Sequence, residues 1–217
     1  MRILDLFCGA GGAGMGYRMA GFDVVGVDIQ PQPRYPFEFY RADALTFLAE
    51  HAGEFDVIHA SPPCQGYSKM RHLPWLKGRN YPLLIGPVRD ALIATGKPWV
   101  IENVSTAPLH GGEICGLALG LPVLRHRRFE SSHLILFPSC PGHPVLFAGR
   151  NQMSHRGRLG GIMGVIPGNN PRAALGCEWM TMREARQAIP PAYTAFIGAA
   201  LMELLILDAD SSKESAK

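Results

Sequence analysis

In Ser61-Pro-Pro-Cys64-Gln-Gly66 a cysteine follows two prolines, directly after the apolar run 55–60. The prolines stiffen the backbone, so the thiol is held at a strand end rather than packed as a core residue. A thiolate fixed there is suited to nucleophilic catalysis. Earlier in the chain, Gly9-Ala-Gly11-Gly12-Ala-Gly14 has the G-x-G-x-x-G spacing, after a strand pattern and opening a helix. Its glycines let a ligand approach the backbone closely, and the helix start offers unpaired N–H groups. Asp28 closes the next strand pattern, placed to accept hydrogen bonds from ribose hydroxyls. Beyond the cysteine, Glu102-Asn103-Val104 ends a further apolar strand. A nucleoside-type ligand, a nucleophile and a carboxyl group thus recur at strand ends.

Those residues need a sheet to hold them. Strand patterns occur at 2–7, 23–28, 56–60 and 99–102, with a short run at 39–42, and helical patterns at 12–20, 44–51 and 83–95. The alternation predicts an α/β fold with a doubly wound, mostly parallel sheet. Ligands of such sheets bind beyond the carboxyl ends of the strands, where each of these motifs falls. Residues 131–180 mix prolines and glycines with few apolar runs and read as a small irregular insertion. Residues 181–207 regain helical periodicity around a Pro190-Pro191 break, completing the domain begun by 1–130. The polar tail 208–217 is expected to be disordered.

Composition narrows the setting. The 217 residues suit one domain with a real core, and 18% charged residues is low for a globular chain. No stretch approaches the ~20 apolar residues of a membrane span. Five scattered cysteines and no signal-like N-terminus point to a reducing, cytoplasmic location. Net charge is only +3, but residues 114–177 hold seven arginines (125, 127, 128, 150, 156, 158 and 172), one acid and no lysine. Such a block is the kind of surface that meets phosphates.

The motif residues carry a family resemblance. Asp5-Leu-Phe-Cys-Gly-Ala-Gly-Gly12, Pro62-Pro-Cys-Gln65, Glu102-Asn-Val104 and Arg125-His-Arg127 resemble the motifs of the DNA (cytosine-5) methyltransferases, in that order. The resemblance implies S-adenosylmethionine as cofactor and cytosine in duplex DNA as substrate. Cys64 would add to C6 of the base and make C5 nucleophilic, while Glu102 would engage N3 and the exocyclic amine. Arg125 and Arg127 would steady the base and its phosphate. Phe7, Gly9, Ala10, Gly11, Gly12, Asp28, Ile29, Ala44 and Pro63 would line the cofactor pocket, with Gln187 and Ile189 closing it. Asp43 would contact adenine, cap the helix that follows, or do both.

The target atom lies inside a base stack, so the nucleotide must flip out or be single-stranded already. The basic, acid-free stretch 65–80 is expected to close over it as a lid. Gln65, Ser68, Lys69, Arg71, Lys77 and Arg79 would face the nucleic acid, with Arg150, Arg156 and Arg158 in the insertion. Val123 stands where the family has glutamine, and the recognition region is short. A reader this small contacts few bases, prefers a short site or leans on a partner protein. A monomer, encoded by a prokaryote or phage in a restriction-modification setting, is expected. The alternatives are the same chemistry on RNA, a catalytically idle DNA-binding homologue, and an NAD-dependent oxidoreductase, which would leave Cys64 and Glu102 unexplained. Cys115, Cys140, His143 and Cys177 lack a paired Cys-x-x-Cys spacing, so no metal site is expected.

Overall fold

The computed structural model describes residues 1–68, 79–143, 164–166 and 169–214. Seven strands form one sheet: β1 (Arg2–Leu6), β2 (Asp23–Asp28), β3 (Glu38–Arg41), β4 (Val57–Ala60), β5 (Trp99–Asn103), β6 (Gly112–Cys115) and β7 (His126–Ser131). Their order is β3-β2-β1-β4-β5-β7-β6. The first five are parallel, as the alternating pattern predicts. β7 runs antiparallel between β5 and β6. The sequence pattern does not reveal that pair, because β7 (His-Arg-Arg-Phe-Glu-Ser) is mostly polar and reads as a loop.

The helices are α1 (Gly12–Met19), α2 (Ala44–His51), α3 (Ile85–Ala94), α4 (Pro171–Leu175), α5 (Met182–Ala185) and α6 (Pro191–Glu214). Side chains alternate across a strand, so each strand feeds two cores. Leu4, Leu6, Val25, Val27, Ile58 and Ile101 pack beneath α2 and α3 with Leu48, Val88 and Leu92. Ile3, Val24, Val57, Val100 and Phe129 pack on the other face against Tyr17 of α1 and Tyr193, Ile197 and Leu201 of α6. The same alternation puts Asp5, His59 and Glu102, all buried, on the α1/α6 face. The first helix and the last therefore share the face that carries the buried polar groups.

α1 and α6 approach closely enough to require glycine. A Cβ on Gly16 would collide with the Pro191 carbonyl and the Thr194 hydroxyl, and one on Gly12 with the Ile189 carbonyl. The hydroxyl of Thr194 donates to the Ala13 carbonyl at 2.8 Å, pinning the pair. A third cluster, with Ala10, Val123, Val165, Leu175, Cys177 and Met180, seats the returning chain on the glycine turn. Val123, where the family has glutamine, is fully buried there and bridges Val165. The helix α6 continues to Glu214 instead of fraying after Leu207. Residues 208–214 contain no glycine or proline, so nothing in them stops a helix already nucleated upstream. No helix among the described residues is long and apolar enough to cross a membrane.

Candidate active site

The strand ends open onto a cavity of about 480 Å³. Cys64 and Glu102 both line it, as do Phe7, Gly9, Ala10, Gly12, Asp28, Ile29, Pro63, Gln65, Arg127, Gln187 and Ile189. Most of the pocket residues expected from sequence are therefore brought together. Gly11, Asp43, Ala44 and Arg125 are not among the lining residues.

Backbone hydrogen bonds set the nucleophile's loop. The Cys64 carbonyl accepts from Tyr67 and Ser68 N–H at 3.0 Å each, closing a tight turn after the prolines. The buried Asn103 amide donates to the Pro62 carbonyl at 2.8 Å, so the end of β5 fastens the loop that ends β4. Burial pushes the Cys64 thiol up and the Glu102 charge adds to that, while Arg127 and Arg125 pull it down; the net direction is upward. The thiol is therefore mostly protonated until something in the cleft favours the anion.

Glu102 is 6% exposed and pairs with Arg127, whose Nε lies 2.9 Å from Oε1. Burial raises its carboxyl above the ordinary range, against the pull of Arg127, the Ser61 hydroxyl and Arg125. Behind it runs a buried chain that sequence reasoning missed. Tyr17 Oη lies 2.9 Å from His59 Nδ1, and His59 Nε2 lies 2.8 Å from Ser61 Oγ. Burial drives the His59 imidazole down to about 3, so it is neutral and has one N–H to give. With Glu102 ionised, Tyr17 donates to His59, His59 to Ser61, and Ser61 to the carboxylate. The only sequence signal was the alternation of residues 57 and 59 along β4, continued by Ser61 just past its end, which puts a histidine and a serine on the face of Glu102.

The glycine turn is held from two directions. Asp28 Oδ2 accepts from the Gly9 N–H at 3.0 Å, and Oδ1 from the Gln30 N–H at 2.8 Å. Trp179 Nε1 donates to the Ala10 carbonyl at 2.9 Å. Phe7 has φ of 59°, a left-handed conformation that non-glycine residues avoid and that marks strain at functional turns. Asp5, also missed, is fully buried and lines the cavity; its Oδ2 accepts from Tyr35 at 3.2 Å and its Oδ1 has no partner among the described residues. Ile29, 61% exposed, offers an apolar surface at the rim.

Other expected residues have different work. Asp43 is the N-cap of α2, its Oδ1 accepting from Leu45 and Thr46 N–H at 3.1 and 3.0 Å. Arg125 is 9% exposed and donates to the Ala188 carbonyl at 2.6 Å and the Arg186 carbonyl at 3.3 Å. It clamps the loop that carries Gln187 and Ile189, while its charge still reaches Cys64 and Glu102. The other described arginines of the block have partners as well. Arg127 pairs with Glu102, Arg128 with Glu113 at 2.7 Å, and Arg172 donates to the Met180 carbonyl at 3.1 Å. Arg127 and Arg128 thus tie β7 to β5 and β6, and Arg172 holds the chain that follows α4. Arg79 is exposed, Ser68 half-buried, and Lys69, Arg71, Lys77, Arg150, Arg156 and Arg158 lie outside the described residues. Cys115, Cys140 and His143, set aside on spacing, are brought together with His126, whereas Cys177 is buried in the third cluster.

Residues 1–108 match the family described as C-5 cytosine-specific DNA methylase. The chain is 33% identical over 84 residues to the type II methyltransferase M.AgeI of Thalassovita gelatinovora, covering 31% of this chain and 20% of that one. It is 29% identical over 166 residues to M.HgiDI of Herpetosiphon aurantiacus, covering 61% and 52%. The chain thus spans at most about half the length of these curated relatives. Among solved structures, the Entamoeba histolytica methyltransferase EhMeth superposes with a TM-score of 0.55 at 13% identity, covering 96% of this chain and 98% of that one. That likeness is one of fold.

Proposed function

The chain belongs to the C-5 cytosine-specific DNA methylase family, and on that premise we propose that it methylates C5 of cytosine in DNA. The observation that carries the reading is that Cys64, Glu102 and the glycine turn line one cavity. The Cys64 thiolate adds to C6 of the base, forming a C–S bond and pushing the ring π electrons onto C5. Glu102 hydrogen-bonds or protonates N3 as that charge develops, and Arg127 holds the carboxyl in place. S-adenosylmethionine, when bound, supplies the electrophilic methyl group. Loss of the C5 proton then restores the double bond and expels the sulfur of Cys64. The base must leave its stack to reach a thiol at the lip of the sheet. Gln65, Ser68 and Arg79 are the described candidates for contact with the nucleic acid.

The residues present fit this cofactor. The unpartnered Asp5 Oδ1 suits an ammonium, the exposed Ile29 a flat ring, and the remaining lone pairs of Asp28 a ribose. Burial pushes the Asp5 carboxyl up to about 7, with Tyr35 and the Gly14 backbone opposing and Asp28 reinforcing. A raised folded value means that stability is complete below the unfolded 3.8 and is lost as pH climbs to about 7. Asp5→Asn should therefore raise Tm by roughly 5–10 °C at about pH 8, with the gain vanishing near pH 4. The same variant should bind S-adenosylmethionine at least about tenfold more weakly by calorimetry, since an ammonium loses its charged partner. Unchanged affinity would remove Asp5 from the pocket.

The function itself is tested by incubating the protein with tritiated S-adenosylmethionine and either duplex DNA or RNA. Label in DNA at C5 of cytosine is expected. Label confined to RNA, or tight DNA binding without label, would overturn the reading.

A further inference from the structure

Four side chains of one chemical character meet away from the cavity. Cys115 ends β6 and His126 opens β7, and the two are register partners across the antiparallel ladder. Cys140 and His143 come from the segment that follows β7 and folds back on it. One ligand atom from each lies within 4.8 Å of all the others. Cys115 Sγ is 3.3 Å from His143 Nε2, and the imidazoles of His126 and His143 stack with centroids 5.0 Å apart. None of the four lines the active-site cavity.

We propose that Cys115, His126, Cys140 and His143 bind a zinc ion as a structural Cys2His2 site. Bonds of about 2.3 Å to sulfur and about 2.0–2.1 Å to nitrogen place tetrahedral ligand atoms roughly 3.5 Å apart, so small side-chain adjustments close this cluster on an ion. Two thiols and two imidazoles select zinc over magnesium or calcium, which require oxygen donors. Four protein ligands leave no open position, so the site is structural and not catalytic. Two thiolates cancel the charge of the ion. The nearby carboxylate, Glu113, is already paired with Arg128.

Placement says what the ion does. The ligand His126 immediately precedes Arg127, which reaches Glu102. Cys140-Pro-Gly-His143 is a described stretch within the first part of the insertion. A bound ion fastens that part of the insertion onto the sheet edge and fixes the start of β7. The pairwise spacing in sequence hid this, since one ligand pair comes from a strand ladder and the other from a loop. The inference stands independently of the methylation reading, because its readout is metal content.

The experiment uses the full chain without an affinity tag, purified under reducing conditions. Elemental analysis should find about one zinc per chain, and cobalt substitution should give an intense visible spectrum of tetrahedral thiolate ligation. Cys140→Ser and His143→Ala should each lose zinc at least tenfold, while Cys177→Ser keeps it. Cys140 is exposed, so its serine variant should fold, as circular dichroism will verify. A strong chelator should lower Tm in the wild type and leave Cys140→Ser unaffected. Absence of zinc, together with reconstitution no tighter in the wild type than in Cys140→Ser, overturns the proposal. So does a reducible Cys115–Cys140 disulfide in the native protein, seen as a loss of two hydrogens by mass.

Discussion

Cys64→Ser is expected to lower methyl transfer by at least about three orders of magnitude while leaving the fold and cofactor affinity unchanged. The turn at Cys64 is set by its carbonyl and by the Asn103 clamp on Pro62, so an isosteric exchange at the side chain disturbs neither. A serine hydroxyl ionises far less readily than a thiol, and nothing described beside it acts as a strong base. DNA carrying 5-fluorocytosine should trap the wild type as a covalent adduct, because fluorine cannot leave C5 as a proton. The adduct should be absent in Cys64→Ser and should map to residue 64 by peptide mass spectrometry. A variant that retained a tenth of the wild-type rate would sink covalent catalysis by this residue.

Glu102→Gln should lower the rate by about two to three orders of magnitude, and the deficit should shrink as pH rises. Both the Cys64 thiol and the Glu102 carboxyl are raised above their ordinary values by burial. The productive form needs the sulfur ionised and the carboxyl protonated. In the wild type, a rising pH gains thiolate but loses the protonated acid once Glu102 titrates, so the rate levels off. The amide cannot ionise, so the variant keeps climbing until Cys64 itself has titrated. A deficit constant across pH would show that Glu102 acts without its proton. Glu102→Ala is a poorer probe, because it also takes the carboxylate partner from the half-buried Arg127 and so disturbs the geometry of the cleft.

The sequence carries the parallel half of this molecule plainly. Strands rich in valine and isoleucine, a glycine turn and the proline-fixed cysteine each have a local signature, and the site they imply assembles at the predicted strand ends. What local pattern cannot convey is partnership between distant segments. Arg125 looks like a site residue in the linear motif, yet its guanidinium is bound by carbonyls of residues 186 and 188. β7 is hidden because three of its six residues are charged and meet charged partners: Arg127 meets Glu102, Arg128 meets Glu113, and Glu130 meets Arg89 at 2.7 Å. His59 and Ser61 read as strand filler until Tyr17 of α1 closes over them. Asp43 caps α2 through Oδ1, one of the two roles that the sequence allows it.

Because Gly12 and Gly16 press against the backbone of residues 189–194, the first helix to emerge from the ribosome waits for the last before its surface is covered. The loop 184–189 that walls the cleft arrives just as late. A nascent chain therefore holds all of its motif residues long before it holds a working site, and synthesis order becomes a form of timing. The same geometry suits a split reporter. Two fragments divided upstream of residue 184 would each be inert, and their reunion through this helix pair would restore the cleft.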